Sequence, residues 1–197
     1  SLKKPNKSIY LGNSGTSARL IIGAVSTSPI NVTFTGDDSL RNRPMSRVLN
    51  PISLFGADYI AREDGYLPVS IKGVAEPIPI IYTLPVASAQ VKSAILLGAL
   101  NTPGKTKIIE ENATRDHTER MLNLFGADIS SVVTPNGYTA VTVGTSTTAC
   151  TGYGTSGNTI TATSQTPASY ASFTYATDTG DKTCLPANST GCNAGAW

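Results

Sequence analysis

Leu54-Phe55-Gly56-Ala57-Asp58 returns letter for letter as Leu124-Phe125-Gly126-Ala127-Asp128, and this return decides the fold. A second pair of stretches follows the two copies: Gly65-Tyr-Leu-Pro-Val-Ser-Ile71 matches Gly137-Tyr-Thr-Ala-Val-Thr-Val143 in pattern. A third precedes them: Ser17-Ala-Arg-Leu-Ile-Ile-Gly-Ala24 is similar to Ser93-Ala-Ile-Leu-Leu-Gly-Ala99. The matches keep one order at a spacing of roughly 70 residues, which marks an internal structural repeat.

Each copy reads as the same six elements. In the first, Ser8–Leu11 is a short apolar strand, and Ser17–Val25 is a helix with Ala18, Ile21, Ile22 and Val25 at helical spacing. Ile30–Thr35 alternates as a strand does. Arg43–Phe55 reads as a second helix, with Val48, Leu49, Ile52 and Phe55 on one stripe, Pro44 in its first turn and Gly56 as its stop. Asp58–Arg62 and Leu67–Lys72 are strands joined by the turn Glu63-Asp-Gly-Tyr66. The second copy gives Ile78–Leu84, Gln90–Leu100, Lys105–Glu110, Asp116–Phe125, Asp128–Val133 and Thr139–Val143, with Asn136-Gly137 as the hairpin turn. The unit is βαβαββ, twice, and the fold class is α+β. Residues 1–75 hold the first repeat and residues 76–145 the second, together one domain.

Composition changes after Gly144. The segment 146–197 is rich in Thr, Ser, Ala, Gly and Asn, and its only charged residues are Asp178, Asp181 and Lys182. The stretches Asn158–Ser164 and Ala171–Thr177 could be strands, so the tail is expected to be β or disordered. All three cysteines, Cys150, Cys184 and Cys192, lie in this segment. Cys184 and Cys192 could pair across a short loop, although an odd count is a poor disulfide framework. The cysteine-free first 145 residues fit a cytoplasmic protein.

A net charge of +2 gives no support to nucleic-acid or membrane-surface binding, and no apolar run reaches the length of a membrane span. Neither nucleic acid nor membrane is an expected partner. Each repeat instead places a small-residue loop before its first helix: Gly12-Asn-Ser-Gly-Thr-Ser17 and Val86-Ala-Ser-Ala-Gln90. A helix start carries unpaired N–H groups and partial positive charge, so it favours phosphate or carboxylate. Ser14, Thr16, Ser88 and Gln90 add side-chain donors. The ordinary alternative is helix capping, which Ser, Asn and Thr commonly perform.

Each copy also carries an arginine near the start of its second helix, Arg43 and Arg115. A cation there opposes the helix dipole, so an anionic partner is a reasonable explanation, with solvated surface arginines as the alternative. His117 has no motif around it and reads as polar packing or capping. Lys92 reads as a solvent-facing helix residue. Asp37-Asp38 reads as a turn rather than a metal pair. No metal and no cofactor is expected.

Taken together, five segments resemble the EPSP (5-enolpyruvylshikimate-3-phosphate) synthase family. They are Leu11-Gly-Asn-Ser-Gly-Thr-Ser-Ala-Arg-Leu20, Gly36-Asp-Asp-Ser-Leu-Arg-Asn-Arg-Pro-Met-Ser-Arg-Val-Leu-Asn-Pro51, the segment from Asp64 through Val69, Pro85-Val-Ala-Ser-Ala-Gln-Val-Lys-Ser-Ala94 and Thr114-Arg-Asp-His-Thr-Glu119. The resemblance covers about residues 8–145 and is of the bacterial type. It implies the inside-out α/β barrel of the enolpyruvyl transferases, whose domains close on shikimate 3-phosphate and phosphoenolpyruvate. It implies that Asn13, Gly15, Thr16 and Arg43 lie on the phosphoenolpyruvate side. Ser88 and Ala89 would contact shikimate 3-phosphate, Gln90 would stand between the ligands, and Arg115 would reach the shikimate phosphate. A glycine at position 15 would leave room for glyphosate. The related enzyme acting on UDP-N-acetylglucosamine shares the fold, but Arg43-Pro-Met and Ser88-Ala-Gln favour the shikimate branch.

The family's first repeat would lie before Ser1, and its other domain, with the proton-transferring Asp and Glu, has no counterpart in this sequence. No catalytic residue is therefore assigned. The expectation is a partial EPSP synthase that binds its substrates weakly and is inactive alone. A non-catalytic binding or assembly module built from two recycled repeats is the alternative. Two repeats would leave apolar faces uncovered, so the tail is expected to pack on them or the chain to self-associate.

Overall fold

The computed structural model describes residues 2–145 and four strands of the tail. The chain divides into two compact units, Ser1–Thr145 and Ser146–Trp197.

In the first unit the repeat is visible as duplicated topology. The first copy runs β1 (Ile9–Tyr10), α1 (Gly15–Ser26), β2 (Asn31–Thr35), α2 (Asp38–Arg41), α3 (Ser46–Leu54), β3 (Asp58–Ala61) and β4 (Val69–Lys72). The second runs β5 (Ile81–Thr83), α4 (Ala89–Ala99), β6 (Gly104–Glu110), α5 (His117–Leu124), β7 (Asp128–Val133) and β8 (Thr139–Thr145). The first sheet has the order β1-β2-β4-β3 and the second β5-β6-β8-β7, the same arrangement shifted by one repeat. In each, the first pair is parallel across the helical crossover and the other pairs are antiparallel. Registers correspond too, with Tyr10 opposite Thr35 in one sheet and Thr83 opposite Ile109 in the other.

Of the helices, α4 is the most deeply buried. In α4 every residue from Val91 through Leu96 is buried, as are Gly98 and Ala99, so this helix has no solvent face. Strand β2 alternates, burying Val32 and Phe34, while β3 and β7 are largely exposed, as expected of sheets with one wet face. The helices α1 and α4 meet at glycine: a Cβ on Gly23 would overlap the Ala94 carbonyl oxygen, and one on Gly98 would stand 3.1 Å from the Gly23 oxygen. The two apolar cores also trade side chains. Ala94 of the second repeat lies in the core of the first, and Phe55 of the first lies in the core of the second.

The second helix of the first copy is shorter than expected. The helix expected over Arg43–Phe55 is observed as α3, Ser46–Leu54, and an unexpected short helix, α2, precedes it at Asp38–Arg41. Asp37 starts α2 early by accepting a hydrogen bond from Leu40 N at 2.8 Å, which assigns it a capping role rather than a plain turn. Pro44 then disfavours the helical conformation at Arg43 and delays the next helix to Ser46. Both α3 and α5 end at a glycine with positive φ, Gly56 at 102° and Gly126 at 84°. The Glu63–Gly65 connection is a short 3-10 turn, and the Asn136-Gly137 hairpin places Gly137 at φ 79°.

The second unit contains an antiparallel sheet of β9 (Gly154–Ser156), β10 (Thr159–Ala162), β11 (Ser172–Ala176) and β12 (Lys182–Leu185), in the order β12-β11-β10-β9. Strands β10 and β11 fall inside the two stretches expected to be extended. The Cys184–Cys192 pairing lies outside the described residues. No helix among the described residues is long and apolar enough to cross a membrane.

Candidate functional site

The two small-residue loops each open a helix, and capping accounts for part of their composition. Ser14 accepts a hydrogen bond from Ser17 N at 3.2 Å, and Ser88 accepts one from Val91 N at 3.3 Å. Both hydroxyls are N-caps, yet a hydroxyl that accepts keeps its own proton to donate. Ser14 spends that proton on Ser17 Oγ at 2.7 Å. The backbone N–H groups of Thr16, Ala89 and Gln90 have no acceptor among the described residues. These are the orphan donors that a helix start offers to an anion.

Around the first loop two guanidinium groups converge. Arg43 reaches across from the segment between α2 and α3, donating to Asn13 Oδ1 at 2.5 Å and Ser39 Oγ at 3.2 Å. Arg19 lies one turn into α1, and its side chain leans back over the helix start, donating to the Gly15 carbonyl at 3.2 Å. A Cβ at Gly15 would lie 2.9 Å from Arg19 Nη1 and 3.2 Å from Arg43 Nη1. The absence of a side chain at Gly15 is what lets both cations stand over the backbone.

Gln90 joins the second repeat to this cluster. Its Oε1 accepts from Arg19 at 2.9 Å, and its Nε2 donates to Thr16 Oγ1 at 2.8 Å. The orientation of the amide is forced, because a guanidinium can only donate. Burial, and then the like charges of Arg43 and Arg47, push Arg19 below the usual guanidinium range. None of these three arginines pairs with a carboxylate among the described residues. The local field is positive and uncompensated, so it would welcome an anion.

The structure therefore brings Asn13, Gly15, Thr16, Arg43 and Gln90 into one contact network. Ser88 and Ala89 sit at the start of α4, beside Gln90 in the chain. Arg115 stands apart from that network, exposed and just ahead of α5. His117 is the first residue of α5, whose N-cap Asp116 makes no side-chain cap bond. Arg19 had no role assigned on sequence grounds; its position four residues after Gly15 is the signal that could have revealed it.

Lys92 corrects the sequence reading outright. It is 1% exposed, not solvent-facing, and its Nζ lies 2.9 Å from Glu110 Oε2 and 2.6 Å from Glu119 Oε1. A cavity of about 620 Å³ lies elsewhere, on the first sheet among Lys7, Asn31, Thr33, Asp58 and Lys72, and none of the candidate residues lines it. At the candidate site Asn13 and Thr16 are exposed and Arg43 and Gln90 partly exposed, so its polar groups are open to solvent. Convergent donors without counter-charge say more about ligand chemistry than enclosed volume does.

Comparison with known proteins gives one answer. The family model described as EPSP synthase (3-phosphoshikimate 1-carboxyvinyltransferase) matches residues 1–161, so the match continues past Thr145 into the second unit. The 3-phosphoshikimate 1-carboxyvinyltransferase of Roseobacter denitrificans (strain ATCC 33942 / OCh 114) is 61% identical over 127 residues, covering 64% of this chain and 28% of that protein. The enzyme of the same name from Paracoccus denitrificans (strain Pd 1222) is 55% identical over 141 residues, covering 72% of this chain and 32% of that protein. A solved structure, the EPSP synthase from Acinetobacter baumannii, is similar with a TM-score of 0.65 and 46% identity, covering 71% of this chain and 31% of that one. The chain thus spans less than a third of the length of these relatives.

Proposed function

The chain belongs to the EPSP synthase family, and from that premise we propose that its two helix starts form part of the surface on which phosphoenolpyruvate and shikimate 3-phosphate meet. The reaction is transfer of the enolpyruvyl group to the shikimate 5-hydroxyl with release of phosphate. One observation carries this reading: Arg19 and Arg43 stand over the bare backbone of Gly15 with no carboxylate to neutralise them among the described residues.

In this reading Asn13, Gly15, Thr16 and Arg43 take the phosphoenolpyruvate side, and Arg19 supports Arg43 with a second positive charge. Ser88 and Ala89 hold shikimate 3-phosphate. Gln90, already bonded to Thr16 and Arg19, stands between the two ligands. Arg115, exposed, contributes its guanidinium to the shikimate phosphate. The chemistry needs a proton delivered to the methylene carbon and another taken from the 5-hydroxyl. Glu110 and Glu119 are engaged by Lys92 and buried, so they are poorly placed for either transfer. In this reading the chain on its own binds the substrates weakly and does not turn them over. Glyphosate would occupy the space above Gly15. Self-association through exposed apolar residues and a cytoplasmic location belong to the same reading.

Titration of the full chain with shikimate 3-phosphate, followed by calorimetry or NMR, is the test. Millimolar-range binding that weakens in Ser88→Ala and Arg115→Ala is the expected result. No binding at millimolar ligand ends the proposal and favours a non-catalytic module.

A further inference from the structure

We propose that the buried cluster of Lys92, Glu110 and Glu119 is a positioning device that fixes the Arg115 segment against the start of α4. The three groups come from three elements, α4, β6 and α5, and are 1%, 1% and 8% exposed. Lys92 Nζ contacts Glu110 Oε2 at 2.9 Å and Glu119 Oε1 at 2.6 Å. From this centre two bonds reach Thr114, the residue before Arg115. Lys92 Nζ donates to the Thr114 carbonyl at 3.4 Å, and Thr114 Oγ1 donates to Glu110 Oε1 at 2.6 Å. A third tie, Ser93 Oγ with Thr118 Oγ1 at 2.6 Å, holds the first turn of α5 to α4. Lys92 is itself two residues beyond Gln90, so one helix carries both the ligand-facing end and the anchor.

Fold stability does not explain the cluster. One ammonium faces two carboxylates, and Glu119 Oε2 is buried with no hydrogen-bond partner among the described residues. Burying such a group is costly, and apolar replacements of buried ion clusters are often no less stable. The sister repeat shows that the junction closes without charge. Superposing the two Leu-Phe-Gly-Ala-Asp stretches puts Glu119 on Leu49, which is fully buried. The matching strand registers put Glu110, after Ile109, on Gly36, after Thr35. Superposing the helix caps Ser14 and Ser88 puts Lys92 on Ala18, which is fully buried. Only the second repeat carries charge at all three positions, and there the charges hold the segment that presents Arg115.

The value of Arg115 as an anion ligand rests on the function proposed above; its immobilisation does not, and the test separates the two. Lys92→Met alone would strand two buried carboxylates and is expected not to fold. The charge-free triple variant Lys92→Met, Glu110→Leu, Glu119→Leu is the probe, with Thr114→Val as a milder second variant that removes only the bond to Glu110. Backbone ¹⁵N order parameters at Thr114 and Arg115 are expected to fall from about 0.85 to below about 0.6 in the triple variant, and part of that way in Thr114→Val. Order in β6 and β8 should not change. Unchanged order at Thr114 and Arg115 in either folded variant overturns the proposal.

Shikimate 3-phosphate affinity should drop by about tenfold, the scale on which groups that orient a ligand-contacting side chain act. Arg115→Ala should then add nothing in the triple background, because the two changes remove the same thing. Full additivity of the two losses also overturns the proposal. A wild-type chain that fails to bind shikimate 3-phosphate sinks the functional reading, while the order parameters still judge the positioning.

Discussion

Arg19 in the first repeat donates a 2.9 Å hydrogen bond to Gln90 Oε1 in the second, and Gln90 returns a 2.8 Å bond to Thr16 beside Arg19. The start of α4 is thereby tied to the start of α1, and three side chains join the two anion-favouring helix ends. Replacing Gln90 by Leu removes both bonds from a half-buried site. A loss of about 1 kcal/mol in urea unfolding is expected. A double-mutant cycle with Arg19→Met should return a coupling of about 0.5–1 kcal/mol. Simple additivity would show the link to be energetically idle.

Gly15 separates fold from ligand. Its Cβ would meet only the far ends of two arginine side chains, at 2.9 and 3.2 Å, which can swing aside. Gly15→Ala should therefore leave thermal stability unchanged or raise it by up to about 1 kcal/mol, since alanine favours the helix. Affinity for phosphoenolpyruvate and glyphosate should fall by tenfold or more, because Arg43 is the proposed ligand and its displacement removes about 1.5–3 kcal/mol per charged bond. Shikimate 3-phosphate binding should change far less. Equal weakening of all three ligands would contradict the placement.

The uncompensated charge of Arg19, Arg43 and Arg47 predicts stabilisation by anions. Inorganic phosphate at about a hundred times its Kd should add about 2.7 kcal/mol to unfolding free energy. Arg43→Ala should lose most of that increment while unfolding normally in phosphate-free buffer. A scan in which wild type and variant respond alike to phosphate would place the anion elsewhere.

Phe55 and Phe125 are the same residue of the repeat in opposite settings. Phe55 is fully buried and Phe125 is 83% exposed. Phe55→Ala should cost about 3–5 kcal/mol, as loss of a packed aromatic ring does. Phe125→Ser should change stability by no more than about 0.5 kcal/mol. Leu124 beside Phe125 is also exposed, so this end of α5 is where self-association would be centred. Sedimentation velocity should show Phe125→Ser to be less associated than wild type. Equal association of the two proteins removes this contact from consideration.

The architecture was legible because a repeat is read twice. Leu54–Asp58 and Leu124–Asp128 fix the end of one helix and the start of the next strand in each copy, and the strand order follows from the duplicated unit. The short helix α2 and the later start of α3 were missed because helical periodicity at Val48, Leu49 and Ile52 says where a helix is, not where it starts. The signals were present locally, Asp37 as a cap and Pro44 as a stop. Lys92 was misread for a different reason. A charged residue on a helix is presumed wet unless its partners are known, and Glu110 and Glu119 come from other elements. Asn13, Gly15, Thr16, Arg43 and Gln90 were nameable from their motifs, and their convergence could be seen only once α1 and α4 were packed together.

The exchange of Ala94 and Phe55 between the two cores limits how the repeated chain can be divided. Each copy now supplies a piece of its neighbour's interior, so neither is expected to be a self-sufficient folding unit. Two polypeptides split in the connection between Lys72 and Ile81 should each be largely unstructured, and should regain structure on mixing. Each repeat is thus a prosthesis for the other.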